Sequence, residues 1–361
     1  MNAIAEHLRS HILANGAVTV AEFFKIAVCG RPDSYYNSRV PMGAEGDFIT
    51  APEISQVFGE CVGGWCVELW MKLGKPLRFN LIELGPGRGT LMRDVLRVGG
   101  VRPGFTSAAR AILVEVSPVL KEQQATVLAS SEAESIVWLS RFDELKVDAP
   151  TIIFANEFID ALPVHQYQRI EGGWGERCVS LDASEAFQFE VRRDIECSHL
   201  IPLHLRRSPV GSIVERGLEA EEIARSIGRS LHAAGGAVLI IDYGYFSYGT
   251  GDTLQALRRH HYADVLGDIG ETDLTFHVNF EALRQSFEVG GLSVGGVLTQ
   301  AEFLRRLGFH ERTEILKRNA HEGHVRHLDR ALQRLTASDQ MGSLFKVLCA
   351  FSPALVSSAG L

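Results

Sequence analysis

The sequence has little that would serve a metal ion or a disulfide framework. Its six cysteines are scattered along 361 residues, and no two of them form a C-x-x-C pair. Zinc sites and disulfide scaffolds both draw on cysteines at close, regular spacing. The adjacent His260 and His261 have no carboxylate or cysteine at metal-ligand spacing. We therefore expect no metal site, and reduced thiols as in a cytosol-like compartment.

Long apolar runs and an excess of positive charge are missing too. No apolar stretch approaches the roughly 20 residues of a membrane-spanning helix. The N-terminus resembles neither a secretory signal nor an Arg/Ser-rich transit peptide. The formal net charge of −8 argues against a general electrostatic grip on DNA or RNA. We expect no membrane span and no nucleic-acid partner. The location expected is the bacterial cytoplasm, or the mitochondrial matrix if the chain is a processed eukaryotic one.

Apolar segments alternate with helical patterns over much of the chain. The β-branched, apolar runs lie at 79–84, 111–116, 135–139, 151–155 and 237–242. Alternation of this kind predicts a parallel sheet that is covered by helices on both faces. The fold class expected is therefore α/β, with a Rossmann-like sheet.

A glycine-rich turn follows the first of these runs. Glu83 precedes three glycines at alternating positions, Gly85, Gly87 and Gly89. Because glycine has no Cβ and tolerates positive φ, such a turn lets the backbone approach a nucleoside at the start of a helix. The dinucleotide fingerprint would place its third glycine at Thr90. The early third glycine and the preceding Glu83 favour S-adenosylmethionine (SAM) over NAD or FAD, and an ordinary strand-to-helix turn is the alternative.

Polar side chains follow two other strands at the same edge of the sheet. Glu115 ends the second strand, where its carboxylate can bind both ribose hydroxyls of a nucleoside. Asn156 follows the fourth strand, and we expect it to contact the cofactor as well. Glu157 and Asp160 come next, and two carboxylates at this spacing can clamp a guanidinium and accept the proton that it loses. Capping of the next helix is the alternative role for these residues.

Four further residues are candidates for contact with the substrate. Asp47 and Glu53 belong to a polar loop before the first strand, where a segment is needed to cover the cofactor. Tyr243 ends the fifth strand, and His277 lies in a polar loop beyond it. Each has a structural alternative: Glu53 could cap the next helix, Tyr243 could belong to a strand-end turn, and Asn279 is an adequate helix cap beside His277.

Several segments in series resemble the MidA-type SAM-dependent methyltransferases, from about residue 5 to residue 350. The resemblance rests on GDFITAPEIS (46–55), ELGPGRGTL (83–91) and NEFIDALP (156–163), followed by DYG (242–244), GDTL (251–254) and DLTFHV (273–278).

The resemblance implies a class I methyltransferase sheet and a protein arginine methyltransferase. Mitochondrial members are complex I assembly factors that act on a respiratory NADH dehydrogenase subunit. The three turn glycines then bind SAM, Glu115 binds its ribose, and Glu157 and Asp160 are the acids on the arginine side. Two alternatives stay open, namely a SAM-binding assembly factor or chaperone without turnover, and a small-molecule methyltransferase.

The patterns divide the chain into four stretches. Residues 1–75 form an N-terminal helical segment with the cofactor-covering loop, and 76–164 form the first half of the core. Residues 165–230 read as an inserted β-rich and helical region, in which a helical pattern begins at Gly211. Residues 231–352 complete the core and carry substrate loops. The inserted hairpin region is a candidate surface for a homodimer or another partner.

Overall fold

One large mixed sheet forms the centre of the molecule. A computed structural model describes residues 2–38, 49–145, 147–193, 197–259 and 261–355. The strands of the sheet lie side by side in the order Ser293–Thr299, Phe345–Phe351, Gly236–Tyr245, Thr151–Asn156, Phe79–Leu84, Ala109–Val114 and Ser135–Leu139. The last five are parallel, and Phe345–Phe351 runs antiparallel to both of its neighbours. The predicted α/β class with a parallel sheet is confirmed.

Helices cover both faces of this sheet, because its central strands are apolar on both sides. Gln56–Lys72 and Thr90–Gly100 pack on one face, and Leu218–Ala234 and Phe280–Val289 pack on the other. The other helices of eight or more residues are Ala3–Asn15, Val20–Val28, Pro118–Leu128, Phe309–Lys317 and Glu322–Thr336. Shorter helices are Tyr35–Ser38, Ala51–Ile54, Phe105–Ala108, Gln300–Arg306 and Met341–Leu344.

Helix starts follow local sequence signals. Thr19 and Glu22 form a reciprocal capping box at the start of Val20–Val28. Ser55 caps Gln56–Lys72 and Ser117 caps Pro118–Leu128, each through its side-chain oxygen. In all three cases the cap that the sequence offers is the one that the structure uses.

A second, antiparallel sheet lies beside the core. It is made of Val18–Thr19, His165–Ile170, Gly173–Leu181, Phe187–Arg192 and Ile213–Arg216. The N-terminal strand joins the inserted strands, because Val18 and Thr19 pair with Val179 and Cys178. The helical pattern predicted from residue 211 is wrong for 213–216. That segment pairs with 165–168 instead, and the helix begins only at Leu218.

The C-terminal third contains elements that the sequence patterns did not reveal. Gln255–Arg258, His261–Ala263 and Asp273–Thr275 form a three-stranded sheet, and Val278–Asn279 adds a short strand to Gly236–Tyr245. Ser293–Thr299 was missed as an edge strand, because its Gly295-Gly296 pair coincides with an irregularity in the strand register. Of the helices in the described ranges, none has the length and apolar character that a bilayer crossing requires.

Helix Leu218–Ala234 ties the inserted region to the core. It follows the last strand of the second sheet and packs along Phe280–Val289, where the glycine backbones at 228 and 290 meet. The predicted boundary at residues 230 and 231 falls inside this helix. The division of the chain into four stretches stays a prediction.

Candidate active site

A cavity of about 710 Å³ opens at the carboxyl ends of the parallel strands. Its floor is the turn after Phe79–Leu84 and the residues that follow Ala109–Val114 and Thr151–Asn156. Helices Val20–Val28 and Leu218–Ala234 contribute to its walls. The carboxyl edge of a parallel sheet is where ligands bind in open α/β folds. The expected cofactor residues Glu83, Gly85, Gly87, Glu115 and Asn156 all line this cavity.

The glycine turn has the backbone that its sequence predicts. Gly85, Gly87 and Gly89 have φ values of 63°, 51° and 82°, in the left-handed region that favours glycine. A Cβ at Gly85 would lie 2.7 Å from Cδ2 of Phe158, so any side chain there would collide with this ring. Gly89 is the residue before helix Thr90–Gly100. The turn therefore presents bare backbone to the cavity beside a helix N-terminus.

Glu83 is buried beneath this turn. The backbone amide of Met92 donates to its carboxylate, while burial raises the pKa of Glu83 well above its ordinary value. Its Oε2 has no hydrogen-bond partner among the described residues, and the same holds for Oδ1 of Asn156. Two buried acceptors without donors in the wall of a cavity fit a ligand that carries N–H or O–H groups.

Glu115 directly follows its strand rather than ending it. Its Oε1 accepts from the amide of Ser117 at 2.8 Å, and its Oε2 accepts from Nε2 of Gln124 at 3.2 Å. Gln124 also donates to the carbonyl of Gly87 at 2.7 Å, and Nε1 of Trp138 donates to its Oε1 at 2.9 Å. Gln124 thus joins the glycine turn to the candidate ribose ligand. Sequence reasoning missed it, because a buried glutamine on a helix carries no motif.

Glu157 lies at the next strand end with an unusual backbone. Its φ is 53°, and its amide donates to the carbonyl of Ile241 at 2.9 Å. A non-glycine residue in this region is strained, and such strain clusters at functional sites. Its Oε1 accepts from Nδ2 of Asn156 at 2.9 Å and from the amide of Ala51 at 3.2 Å. These bonds aim the carboxylate at the cavity, which it lines.

Asp160 and Asp242 lie close to Glu157, and together we call them the acidic cluster. Asp242 is fully buried, and its Oδ2 accepts from the amides of Ile159 and Asp160 at 2.9 and 3.2 Å. It therefore holds the turn on which Asp160 sits. The hydroxyl of Tyr243 donates to Oδ2 of Asp160, while Oδ1 of Asp160 is buried without a partner among the described residues.

The acidic cluster places three carboxyl groups close together, with Asp160 and Asp242 buried and Glu157 partly buried, so that their ionised forms are disfavoured. Burial raises the pKa of Glu157 to about 7, and the nearby Asp160 adds to the effect. Burial raises the pKa of Asp160 to about 6 and that of Asp242 well above its ordinary value. Among the ion pairs between described residues, none involves any of the three. Buried carboxylates without a countercharge suit a cationic ligand.

Asn156 does not cap the short helical turn Ile159–Ala161. This turn receives no side-chain cap from the residues before it, and Asp242 accepts from the amides of Ile159 and Asp160 instead. The capping alternative therefore does not hold for Asn156.

The remaining predicted substrate residues divide between two places. Glu53 lines the large cavity, where its Oε1 lies 3.4 Å from Nη1 of Arg88. Ser55 caps the helix for which Glu53 was the alternative cap. Tyr243 meets the acidic cluster, as described above. Asp47 lies outside the described residues.

His277 does not line the large cavity. It borders a separate space of about 30 Å³, enough for a water molecule, and its ring meets that of Tyr243 edge to face at 5.6 Å. Burial and the nearby Lys346 lower its pKa. His277 therefore packs behind Tyr243, and this geometry does not place it against a substrate in the large cavity. Asn279 caps the following helix, as its alternative role required.

Tyr36 lines the cavity near the acidic cluster, and no sequence motif marks it. Its hydroxyl donates to Oδ1 of Asp273 at 2.9 Å, and it borders the cavity. Burial raises its pKa well above the ordinary value, and Asp273 and Asp160 add to this. Within the described ranges, no three His, Cys, Asp or Glu side chains are arranged so that they could hold a metal ion.

Comparison with known proteins identifies the family. Residues 61–298 match the family model described as "Putative S-adenosyl-L-methionine-dependent methyltransferase". The chain belongs to this family. Its members use SAM, and the glycine turn and unpartnered acceptors described above fit that cofactor. The chain is thus a SAM-dependent methyltransferase, as the glycine turn predicts.

Relatives from animals align over nearly the whole chain. A Drosophila melanogaster protein named "Protein arginine methyltransferase NDUFAF7 homolog, mitochondrial" is 34% identical, over 98% of this chain and 86% of its own length. The Danio rerio protein named "Protein arginine methyltransferase NDUFAF7, mitochondrial" is 34% identical, over 95% and 86%. The Homo sapiens protein of the same name is 35% identical, over 89% and 76%.

Solved structures share the fold. A crystal structure of a Burkholderia thailandensis protein bound to S-adenosyl-homocysteine superposes with a TM-score of 0.86, at 24% identity, over 98% of this chain and 92% of that one. A native structure from the same organism gives a TM-score of 0.83 at 25% identity, over 98% and 92%. The fold is therefore the Rossmann-like, class I methyltransferase fold.

Replacing Glu115 should weaken SAM binding. If its carboxylate accepts from both ribose hydroxyls, Glu115→Ala loses charge-assisted hydrogen bonds, and we expect the Kd for SAM to rise by about 10–100-fold. The control is Glu122→Ala, which changes an exposed residue of helix Pro118–Leu128. Calorimetric titration with SAM measures both, and a Kd within about twofold of wild type for Glu115→Ala would remove the ribose role.

The acidic cluster should also cost stability at alkaline pH. Glu157 has a higher pKa in the folded chain than its ordinary 4.5, so the folded state binds more protons between that value and about 7. Its contribution therefore falls as pH rises through this window. We expect Glu157→Gln to be more stable than wild type by about 1–3 kcal/mol at pH ~8, with little difference near pH ~5.

Urea unfolding at the two pH values measures this difference. The control is Glu171→Gln, which changes an exposed turn residue of the inserted sheet. Equal stabilities of wild type and Glu157→Gln at both pH values would show that the surroundings of Glu157 do not raise its pKa.

Proposed function

We propose that this methyltransferase acts on an arginine side chain of a protein. The observation that carries the proposal is the acidic cluster, in which Glu157 lines the cofactor cavity, Asp160 lies near it, and neither has an ion-pair partner among the described residues. A guanidinium is planar, carries one fixed positive charge and offers five N–H donors. It would supply both the charge and the donors that the cluster lacks.

The free acceptor atoms support a guanidinium clamp. Oε1 of Glu157 is occupied by Asn156 and Ala51, and within the described part of the chain no donor is bonded to its Oε2. Oδ1 of Asp160 is likewise free, while Tyr243 fixes the other oxygen of that carboxylate. Each acid thus keeps one oxygen without a donor among the described side chains, and we propose that these two oxygens hold two N–H groups of one guanidinium.

These contacts define a role for each residue. Bound SAM supplies an electrophilic methyl group. Glu157 orients the accepting nitrogen and takes the proton that this nitrogen loses, so that the methylated guanidinium keeps a single positive charge. The raised pKa of Glu157, about 7, suits a group that must accept a proton near neutral pH. Asp160 holds a second N–H and keeps the plane of the guanidinium fixed.

The relatives support a protein as the substrate. Those compared above are named protein arginine methyltransferases and mitochondrial, and they cover this chain almost completely. The resemblance to complex I assembly factors makes a respiratory NADH dehydrogenase subunit the first acceptor to test. The corresponding location is the mitochondrial matrix for a eukaryotic chain and the cytoplasm for a bacterial one. A homodimer stays a prediction.

The decisive variant is Glu157→Gln. It keeps the size of the side chain but can neither take a proton nor balance a guanidinium. We expect transfer from radiolabelled SAM to fall by about 100-fold or more, since general-base catalysis contributes on that order. SAM binding should change by less than about threefold. Asp160→Asn should reduce transfer less, and Glu171→Gln should leave it unchanged.

The assay is incubation with labelled SAM and a lysate of the source cells, followed by acid hydrolysis and mass spectrometry. Label in methylarginine supports the proposal. Label in small molecules or nucleic acid would replace it with another substrate class, and tight SAM binding without any label would indicate an assembly factor. Normal transfer by Glu157→Gln would remove the role given to this residue.

A further inference from the structure

A short segment connects Glu157 to the glycine turn from above. We call residues 50–55 the cover turn; it contains the single helical turn Ala51–Ile54. At its start the amide of Ala51 donates to Oε1 of Glu157 at 3.2 Å. Two residues later Glu53 pairs with Arg88, which lies between the second and third glycines of the turn. One rigid segment therefore touches the proposed base and the cofactor turn at once.

The cover turn is well held on its inner side. Ala51, Pro52 and Ile54 are buried, and Ala51 and Ile54 belong to the same apolar core as helix Gln56–Lys72. The Glu53 side chain is only 13% exposed, whereas that of Arg88 is 42% exposed. A pair of this exposure adds little to global stability. Its effect should therefore be local, on where the cover turn sits relative to Glu157.

We propose that Glu53 and Arg88 are positioning residues that hold the Ala51 amide against Glu157. The proposal rests on the proposed function in giving Glu157 the role of base. The Ala51 N–H stabilises the ionised carboxylate by a charge-assisted hydrogen bond, and it fixes which oxygen faces the cavity. Without the Glu53–Arg88 pair the apolar contacts of Ala51 and Ile54 still anchor the inner side of the cover turn, but its cavity side is no longer held, and the Ala51–Glu157 bond lengthens. Glu157 then holds its proton more tightly and its free oxygen loses its direction.

Other groups act on Glu157 and set the background for this effect. Asp160 and Asp242 disfavour its ionised form, while Asn156 and the more distant Arg334 favour it. None of these belongs to the cover turn or the glycine turn. A change at Glu53 or Arg88 that reaches Glu157 must therefore pass through the cover turn or through charge alone.

The test measures the pKa of Glu157 directly. The whole chain is prepared with carbon-13 in the carboxyl group of glutamate, and the resonance that Glu157→Gln lacks is followed by NMR across pH. In Arg88→Gln and Glu53→Gln we expect the pKa to rise by about 0.5–1, the value of one hydrogen bond. The exchange Glu53→Arg with Arg88→Glu restores the pair and should return the pKa toward wild type.

The matched control is Arg326→Gln, which breaks an exposed ion pair with Glu322 on a C-terminal helix and should leave the pKa unchanged. A change of charge without loss of position would shift the pKa in opposite directions in the two single variants, because one removes a positive and the other a negative charge. Opposite shifts, no shift, or a shift that the exchange does not reverse would each overturn the proposal.

The pH dependence of kcat is a second measurement of the same effect. With an acceptor identified by the lysate assay, both single variants should move the acidic limb of the kcat–pH profile upward, while the KM for SAM changes less. A failure of arginine methylation would leave the NMR result standing, and a failure of the NMR result would leave arginine methylation standing. The two proposals can therefore be judged separately.

Discussion

The site depends on one electrostatic constraint, the crowding of three carboxyl groups at one edge of two neighbouring strands, where Asp160 and Asp242 are buried and Glu157 is partly buried. Glu157 and Asp160 follow one strand, and Asp242 lies in the other strand just beyond the residues that pair in parallel register. Neutral donors hold these groups in place: backbone amides, Asn156 and Tyr243. Neutral donors orient the carboxylates but do not balance their charge, so an ionised cluster is stabilised by a cationic ligand. The large sheet, whose strands are apolar on both faces, holds the cluster in place.

The same sheet edge brings the candidate cofactor residues and the acidic cluster together. The glycine turn, Glu115 and Glu157 follow three adjacent parallel strands, so their functional groups converge without long connections. The cavity is closed by segments from elsewhere in the chain: the N-terminal helix Val20–Val28, the cover turn and helix Leu218–Ala234. The inserted sheet anchors the first of these, because Val18 and Thr19 pair with its longest strand. Residues far from the chemistry therefore shape its entrance.

The sequence predicted the features that depend on neighbouring residues, namely the glycine turn and the buried strands. The three turn glycines adopt positive φ, which glycine tolerates because it has no Cβ. The apolar runs form the buried parallel strands. Pairings between distant segments were not visible. The strand at 213–216 exists because it pairs with 165–168, and its own pattern suggested a helix. Asp242 satisfies amides 83 and 82 residues away, so nothing near it in the sequence announces that role.

Single residues were predictable only where their position along a strand or turn could be read from the sequence. That Glu115 and Glu157 line the cavity was predictable because strand ends are identifiable in the sequence, whereas Gln124 and Tyr36 make contacts that only the folded chain creates. His277 was predicted to contact the substrate from a polar loop, but the structure packs it behind Tyr243 and outside the lining of the large cavity.

The most direct test of the acidic cluster is made in the source cells. The chromosomal gene is replaced by one encoding Glu157→Gln, and the methylarginine in hydrolysed cell protein is quantified by mass spectrometry against the wild type. If Glu157 is the base for arginine methylation, at least one methylated arginine site disappears while the variant protein is still present and binds SAM. An unchanged set of methylated arginines would contradict it.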